Sequence, residues 1–389
     1  MRVLFTSLPA TGHFNSTLPL ALAVKGAGHD VAFCCAPALR DDTIALGFEH
    51  RPGGAATFAE LFVGGPPIGP ARAQWAQTVA FAERGAERML PDLLDHVRDW
   101  RPDVLVRESA EYGALLAAEQ LDLPHASIAT GAWAARDDRR AIVADVLTDW
   151  RARLGLQPDP DATAIFRYLS YSFMPPSWDG DGQGTYPATA HFIRYVNPQR
   201  ADVARPEWLD LPRRDPLVLA SLGTVMHGEP GLLEAIVDAL ADEPVQVVAA
   251  FGRDQDPVRF GTPPANVRLE HYVPQIPVLE ASALFVTHGG FNSTKEALSL
   301  GVPLVVIPIA GDQPYSAERV EALGLGLAVQ RDERTADVIR ARVREVMGED
   351  RFRRNAQAFA SEMRALPPVT HAVRLLERLA AAREPILRA

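Results

Sequence analysis

Short runs of apolar residues alternate with amphipathic segments from the start of the chain. The opening order is RVLFTS, then LPLALAVKGAG, then DVAFCC. A short β-branched run is typical of a buried strand, whereas apolar residues three and four positions apart are typical of a helix. The order therefore predicts a strand, a helix that ends at Gly28 and a second strand, which together form a βαβ unit. The segments DVLVR, 112–120 and HASIAT repeat this alternation.

The second half of the chain resumes the same pattern. Five apolar runs separated by helical patterns predict a second parallel sheet: LVLASLG, VQVVAAFG, VRLEHYV, ALFVTHGG and VPLVVIPI. The last segment, HAVRLLERLAAAREPILRA, has the spacing of an amphipathic helix that Pro385 should end. Strands that alternate with helices form parallel sheets with ligand sites at their carboxyl ends. The pattern therefore predicts two Rossmann-like, doubly wound α/β domains that face a cleft.

The two halves meet in a region without regular patterning. Residues 175–190 are rich in Gly, Pro and Asp, and residues 196–216 have the composition of an exposed linker. At 389 residues, the chain also exceeds the length at which single cores stop growing. We therefore predict four segments: a first domain over 1–199, a linker over 200–215, a second domain over 216–370 and a C-terminal helix over 371–389 that can pack back on the first domain.

Composition narrows the function classes. Hydrophobic residues make up 47% of the chain and charged residues 23%, which is typical of a globular protein. A net charge of −10 disfavours nucleic acid as a partner, because phosphate binding requires clustered Lys and Arg. Cys34 and Cys35, the two cysteines, lie in an apolar run, as expected for buried strand residues in a reducing compartment. With no secretory leader and no apolar stretch of membrane-spanning length, we expect a cytoplasmic protein without stable membrane insertion.

The tetrapeptide FNST occurs twice, at residues 14–17 and 291–294. Both copies follow a predicted strand and precede a predicted helix, where Asn, Ser and Thr commonly cap the helix N-terminus. One explanation is the chance reuse of a good capping sequence. The other is that the same strand, turn and helix opening serves two functional sites.

The second copy stands in the segment HGGFNSTKEAL. The strand before it should end near Thr287, Gly289 and Gly290 should form the turn, and a helix should begin near Phe291. Glycines allow a ligand to approach the backbone, and a helix N-terminus offers free N–H groups and a positive dipole end. Phosphate is the ligand that such a turn suits best. Neither GxxxxGK[ST] nor GxGxxG after a strand is present, which disfavours ATPase and ordinary NAD functions.

Residues 272–326 carry a longer resemblance. HYVPQIPVLEASALFVT, HGGFNSTKEAL and GVPLVVIPIAGDQPYSAERVEALGLG resemble in turn the donor-binding signature of GT-B fold family 1 glycosyltransferases, most of all the bacterial enzymes that glycosylate antibiotics and other natural products. The resemblance implies an N-terminal acceptor-binding domain and a C-terminal nucleotide-sugar-binding domain. It also implies inverting, metal-independent transfer of a hexose or deoxyhexose from a nucleoside-diphosphate donor, here expected to be dTDP-linked, to a natural-product hydroxyl. The nucleotide sugar would be a co-substrate, and no other cofactor is expected.

The same resemblance implies roles for residues of the second domain. The expected diphosphate-binding residues are His288, Gly289, Gly290, Asn292, Ser293, Thr294 and Thr224. Those expected at the base and ribose are Tyr272, Val273, Gln275 and Glu296, and those at the donor sugar are Asp312 and Gln313. Thr224 is equally well explained as a helix cap. Tyr272 stands where many relatives carry Trp, which leaves open whether the donor carries dTDP or UDP.

The first FNST copy follows His13 in GHFNST. An acceptor hydroxyl must lose its proton as it attacks the sugar, and a neutral imidazole can take that proton near pH 7. We expect His13 in the loop after the first strand, and by resemblance it matches the family's catalytic histidine. A carboxylate beside it would hold its tautomer. By resemblance, Glu108 is the candidate for this role and Glu111 the second choice, although either could instead be a charge at a helix start.

The acceptor site is less clearly marked. Apolar and aromatic residues of the first domain that could line it, or belong to the core, are Phe58, Phe62, Trp75, Phe81, Trp133, Phe173 and Trp178. An apolar small-molecule acceptor is expected. Three alternatives stay open at this point: a nucleotide-sugar epimerase, a transferase with a lipid-linked acceptor, and a catalytically silent nucleotide-sugar-binding partner protein. A homodimer, the sugar and the acceptor are likewise left open.

Overall fold

The computed structural model describes residues 1–131, 136, 139–179, 186–198, 205–223, 229–252 and 255–388. Contacts divide the chain into two units, Met1–Pro198 with Leu366–Ala389, and Gln199–Ala365. The second unit ends before the predicted boundary at residue 370, because the segment after it already binds the first unit: the N–H of Arg194 donates to the carbonyl oxygen of Pro367 (2.8 Å). In the predicted linker, the described part holds a short 3₁₀ helix, Glu207–Asp210, with Leu209 buried.

A parallel sheet forms the centre of the first unit. Its strands in the described part of the chain are β1 (Arg2–Thr6), β2 (Asp30–Cys35), β3 (Glu49–Pro52), β4 (Val104–Glu108), β5 (His125–Ile128), β6 (Leu169–Ser172) and β7 (Ala190–Phe192). They are ordered β3-β2-β1-β4-β5-β6-β7. The order reverses between β1 and β4, where Thr6 pairs with Arg107, and this is the position at which such sheets bind ligands.

Helices connect these strands on both faces of the sheet. They are α1 (Thr11–Gly26), α2 (Arg40–Ala45), α3 (Phe58–Leu61), α4 (Pro70–Trp75), α5 (Ala86–Trp100), α6 (Gly113–Gln120) and α7 (Arg140–Leu154). A π-helical segment, Ala76–Gly85, joins α4 to α5. Such segments are uncommon and often lie near functional sites.

The second unit repeats the architecture with its own sheet. The described strands are β8 (Leu217–Ser221), β9 (Gln246–Ala250), β10 (Val267–Glu270), β11 (Ser282–Thr287), β12 (Leu304–Val306) and β13 (Gly326–Ala328), all parallel and ordered β10-β9-β8-β11-β12-β13. The helices are α8 (Leu232–Leu240), α9 (Gln275–Glu280), α10 (Phe291–Leu300), α11 (Gln313–Ala322), α12 (Ala336–Gly348) and α13 (Asp350–Ala365). Both units are therefore doubly wound α/β domains, as predicted.

The chain ends in α14 (Val369–Ala382), which belongs to the first unit. The hydroxyl of Tyr171 donates to the carbonyl oxygen of Ala372 (2.8 Å), which ties this helix to β6. Side chains of β4 alternate between the two faces of the sheet: Val104 and Val106 pack with α1 and α14, whereas Leu105 packs with α5 and α6. In the described residues, no helix combines the length and the apolar character needed to cross a membrane.

Candidate active site

The strand β4 ends in two charged residues that lie on opposite faces of the first sheet. Because side chains alternate along a strand, Glu108 continues the face of Val106, which α1 covers, whereas Arg107 continues the face of Leu105. Both side chains are fully buried. The alternation thus carries the Glu108 carboxylate to the first turn of α1.

His13 is the third residue of α1, and its ring meets that carboxylate. Nδ1 of His13 lies 3.0 Å from Oε1 of Glu108, and the His13 side chain is 20% exposed. The expectation that His13 lies in a loop was wrong. The helix begins at Thr11, because the N–H of Phe14 already bonds to the carbonyl oxygen of Ala10 (3.0 Å). The imidazole is therefore held on a regular helix.

The other oxygen of Glu108 has two donors of its own. Oε2 accepts the N–H of Ala110 (2.6 Å) and the hydroxyl of Thr130 (2.9 Å). Burial pushes the pKa of Glu108 up, but His13 and these two donors outweigh it, so the pKa is lowered overall. Glu108 is therefore ionised at neutral pH. Its Oε1 lies within ion-pair distance of Nδ1 of His13, although the two atoms are not aligned as a hydrogen bond, and a carboxylate at that distance favours the tautomer with the proton on Nδ1.

Glu111 has a different set of partners. Its carboxylate accepts the hydroxyl of Thr6 (2.8 Å) and the N–H groups of Gly113 (2.7 Å) and Ala114 (3.0 Å), the first two residues of α6. Burial raises the pKa of Glu111 to about 7. Of the two acidic candidates, Glu108 is thus the one at His13, and Glu111 takes the helix-start role that was left open for either of them.

Aromatic rings surround the exposed side of this pair. The ring of His13 lies 5.6 Å from that of Phe58 and 5.8 Å from that of Phe81, centroid to centroid. Phe62 contacts both phenylalanines, at 4.9 and 5.7 Å, and Trp75 lies 5.9 Å from Phe62. We call Phe58, Phe62, Trp75 and Phe81 the aromatic wall. It gives the imidazole apolar surroundings.

Two aromatic residues predicted for the acceptor site lie elsewhere. Phe173 is 1% exposed and belongs to the core on the face of α1 and α14, where its ring packs on Tyr195 (6.1 Å). Trp178 is likewise buried. Both therefore belong to the core. Trp133 lies outside the described residues.

The two FNST copies do not cap their helices as expected. The capping positions are Ala10 for α1 and Gly290 for α10, and neither has a side-chain cap. In the first copy, the hydroxyls of Ser16 and Thr17 instead donate to the carbonyl oxygens of His13 (2.6 Å) and Phe14 (2.7 Å). Each tetrapeptide lies inside its helix: the first begins at the fourth residue of α1 and the second at the first residue of α10.

The HGG turn of the second unit is built around a buried imidazole. β11 ends at Thr287, and His288, at 8% exposed, follows it. Gly290 must be glycine, because a Cβ there would lie 2.5 Å from Nε2 of His288. Gly289 has a left-handed φ of +82°, and its Cβ would lie 2.5 Å from Val306. Burial lowers the pKa of His288 to about 4, so its ring is neutral at pH 7.

The first turn of α10 contains a buried cation. Nζ of Lys295, a residue 1% exposed, donates to Oδ1 of Asn292 (2.9 Å). Burial lowers the pKa of Lys295 to about 8, and Glu296 opposes this shift. Thr294 is fully buried, and its hydroxyl makes no hydrogen bond within the described residues, whereas Ser293 is half-buried.

The predicted base and ribose residues meet at the side of α10. Nε2 of Gln275 donates to Oε2 of Glu296 (2.6 Å). Tyr272 is 46% exposed after β10, and Val273 is buried beside it. The structure thus pairs Gln275 with Glu296 and leaves Tyr272 partly exposed.

The predicted donor-sugar residues stand at the start of α11. Oε1 of Gln313 accepts the N–H groups of Ile309 (2.7 Å) and Ala310 (2.9 Å), which closes the loop after β12. Asp312 occupies the N-cap position of the helix without a side-chain cap hydrogen bond. The oxygen of Gln313 is thus engaged within the loop, so its amide nitrogen is the group it can offer to a sugar. Thr224 lies outside the described residues.

Three residues of these sites were not anticipated from the sequence. Thr130 follows β5, and only the pairing of β4 with β5 brings it to Glu108. Arg107 and Lys295 are fully buried charges, and the signal for Arg107 was available: it is a charged residue that directly continues the apolar run VLV of the predicted strand. Within the described range, no group of three or more His, Cys, Asp and Glu side chains is arranged to hold a metal ion.

Comparison with known proteins extends these observations. A family model described as "Erythromycin biosynthesis protein CIII-like, C-terminal domain" matches residues 234–379. The 4'-demethylrebeccamycin synthase of Lentzea aerocolonigenes is 30% identical over 97% of this chain and 99% of its own length. The chain belongs to the family of bacterial natural-product glycosyltransferases. The resemblance of residues 272–326 is thereby confirmed.

A second relative and a solved structure support the same family assignment. The 3-alpha-mycarosylerythronolide B desosaminyl transferase of Saccharopolyspora erythraea is 29% identical over 98% of this chain and 99% of its own length. The crystal structure of glycosyltransferase VinC in complex with DTDP superimposes with a TM-score of 0.80 at 27% identity, over 98% of this chain and 100% of that one. The fold is therefore GT-B, and the enzyme transfers sugars from nucleotide-sugar donors to small-molecule acceptors.

Proposed function

We propose that this glycosyltransferase is an inverting enzyme that transfers a hexose or deoxyhexose from a dTDP-linked donor to a hydroxyl group of an apolar natural product. His13 is its general base. The observation that carries the proposal is the 3.0 Å contact between Nδ1 of His13 and the buried carboxylate of Glu108. That contact commits one ring nitrogen to the carboxylate and leaves Nε2 to accept a proton.

The chemistry follows from this arrangement. Nε2 takes the proton of the acceptor hydroxyl while its oxygen forms a bond to the anomeric carbon of the sugar. The bond from that carbon to the diphosphate oxygen breaks, and the diphosphate leaves with the electron pair. Glu108 stabilises the imidazolium that forms and holds the ring in the productive tautomer. Because a single displacement attacks from the face opposite the leaving group, the configuration of the sugar inverts.

Features of the second unit support diphosphate binding. The HGG turn and the uncapped N-terminus of α10 present backbone N–H groups, and the buried ring of His288 packs against Gly223 and Gly290 beside them. Lys295 adds a buried positive charge to the same turn of the helix. These groups offset the charge of the leaving diphosphate without a metal ion, so we expect a reaction that needs no cofactor besides the nucleotide sugar.

The nucleobase of the donor is inferred from residues beside α10 and from a similar enzyme. The exposed ring of Tyr272 can stack on a nucleobase, and the Gln275–Glu296 pair can bond the base and ribose. The DTDP complex of the similar VinC favours a thymine nucleotide. On the acceptor side, the aromatic wall around His13 favours an apolar acceptor, because aromatic side chains bury large apolar area.

Calorimetric titration with dTDP, UDP and NAD in EDTA tests the donor site. We expect dTDP to bind more tightly than UDP, and NAD not to bind. His288→Ala should weaken dTDP binding about 10- to 100-fold, because the buried ring fills the space beside Gly223 and Gly290 and fixes the turn that presents the backbone N–H groups. His125→Ala is the matched control: it removes a fully buried imidazole of the first unit and should leave the affinity unchanged. Binding of NAD alone, or of no nucleotide, contradicts the donor assignment.

The stereochemistry of the product tests the displacement. With a donor of known anomeric configuration, the glycoside should show the opposite configuration, as measured from the proton coupling at the anomeric carbon by NMR. Retention of configuration would require two displacements and a nucleophilic side chain. It would therefore rule out His13 as a base in a single step.

A further inference from the structure

Arg107 is a buried charged residue that takes no part in the proposed reaction. Its side chain is fully buried on the face of the first sheet opposite Glu108, and its guanidinium lies 5.7 Å from the ring centre of Tyr112. Within the described residues it forms no salt bridge. Burial lowers its pKa, and a buried cation without a carboxylate in contact is costly to keep. The cost indicates that the guanidinium does something that an apolar side chain could not do.

The guanidinium of Arg107 donates hydrogen bonds to carbonyl oxygens of the turn that follows β4. Nη1 donates to the oxygens of Ser109 (3.1 Å) and Glu111 (3.4 Å), and Nη2 donates to that of Ile165 (3.0 Å). Three backbone acceptors at up to 3.4 Å, and the carbonyl oxygen of Glu108 at 3.5 Å from Nη1, thus converge on one side chain from two separate segments. The planar fork of an arginine can satisfy such a set, whereas an apolar residue would leave the carbonyl oxygens buried and unpaired.

The same turn supplies a donor to Glu108. The N–H of Ala110, the residue between the two carbonyl groups that Arg107 binds on Nη1, donates to Oε2 of Glu108 at 2.6 Å. The N–H of Glu111 donates back to the carbonyl oxygen of Glu108 at 3.1 Å. A shift of this turn would move the donor on Oε2 and rotate the carboxylate, and Oε1 would leave Nδ1 of His13.

We propose that Arg107 is a positioning residue of the His13–Glu108 pair. By fixing the turn 109–111 from the opposite face of the sheet, it holds the Glu108 carboxylate in the orientation that keeps the proton on Nδ1 of His13. The inference rests on the proposed function in so far as the pair serves catalysis. The positioning itself is a property of the folded first unit and can be observed without turnover.

The chain offers a matched control for the loss of a buried arginine. Arg151 of α7 is also buried in the first unit, donates to the carbonyl oxygen of Gln157 (2.6 Å) and pairs with Glu119. It holds a loop in place in the same manner but has no contact with the turn after β4. If Arg107 matters for folding alone, Arg107→Met and Arg151→Met should have effects of the same kind.

The experiment compares Arg107→Met, Arg107→Lys and Arg151→Met with the wild type. The ring nitrogens of His13 are observed by ¹⁵N NMR at a pH where the ring is neutral, with His13→Gln to assign the signals. Thermal unfolding checks the fold, and kcat and KM are measured for a transferred acceptor. In Arg107→Met, the proton should redistribute from Nδ1 towards Nε2, and kcat should fall about 10- to 100-fold, the loss typical of a misplaced catalytic group. KM for the acceptor should change little.

Arg107→Lys should restore part of the protonation of Nδ1 of His13 and part of kcat, because an ammonium group keeps the charge but reaches fewer of the carbonyl oxygens. Arg151→Met should leave the His13 tautomer and kcat unchanged, whatever it does to stability. A folded Arg107→Met with an unchanged His13 tautomer overturns the proposal. If that variant does not fold, Arg107→Lys decides, and an unchanged tautomer there also overturns it. If the His13 tautomer shifts in Arg107→Met but His13→Ala is still active, Arg107 positions the pair and His13 is not the general base.

Discussion

His13→Ala should lower kcat about 10²- to 10⁴-fold, the loss expected when a positioned general base is removed. The acceptor hydroxyl would then have to pass its proton to water, while the donor groups of the second unit are untouched. Affinity for dTDP should therefore stay at the wild-type value. Initial rates with a saturating nucleotide sugar, together with calorimetric titration of dTDP, measure both effects.

The first unit contains a matched control for this variant. His29 forms a comparable pair with a carboxylate, with Nε2 at 2.8 Å from Oε1 of Glu377. His29→Ala removes an imidazole–glutamate contact that lies away from Glu108, and it should leave kcat unchanged. If His13→Ala keeps full transferase activity, His13 is not the general base. If the measured function of the protein never depends on His13, a catalytically silent nucleotide-sugar binder fits instead.

Glu108→Gln should lower kcat nearly as far as His13→Ala does, about 10²- to 10⁴-fold, even though glutamate and glutamine have nearly the same shape. An amide offers one acceptor where the carboxylate offers two. If the amide nitrogen faces His13, the ring must present an unprotonated Nδ1, and Nε2 then carries the proton and cannot act as a base. If the nitrogen faces the other way, it meets the N–H of Ala110 and the hydroxyl of Thr130. Steady-state rates over a range of pH measure the loss.

Glu119→Gln controls for the removal of a mostly buried carboxylate from the first unit. Glu119 pairs with Arg151, away from His13, and its side chain is 6% exposed. That variant should lose stability, measured as a lower midpoint of thermal unfolding, without losing kcat. Equal losses of kcat in both variants would mean that Glu108 acts through stability and that its contact with His13 is incidental.

Much of the fold was predictable because local pattern and tertiary role agree. β1, β4 and β11 are apolar runs buried on both faces, and the predicted end of β11 at Thr287 agrees with the structure. β3 was missed, since its sequence EHRP carries no apolar signal and it becomes a strand only by pairing with β2. β7 was missed because it is three residues long and follows a segment rich in Gly and Pro.

The candidate site was predictable only where its parts are local in sequence. The HGG turn is one continuous segment, and its glycines can be explained residue by residue. The choice between Glu108 and Glu111 required the strand alternation, which a single sequence with an uncertain strand end does not settle. Thr130 reaches Glu108 through the pairing of β4 with β5, and Arg107 reaches Ile165 across the fold, so no window of sequence contains these contacts. Phe173 lies in the core, the alternative left open for it, and sequence does not separate core aromatics from ligand-facing ones because both have the same composition.

The C-terminal segment has a consequence for how the chain is made. The first unit is closed by its last residues: Tyr171 bonds Ala372, and the N–H of Ile386 bonds the carbonyl oxygen of Tyr168 (2.8 Å). During translation, those residues leave the ribosome only after the whole second unit has been synthesised. The face of the first sheet under α14 therefore stays uncovered while the second unit is made. The unit whose synthesis starts first can thus complete its fold only after the other unit has been synthesised.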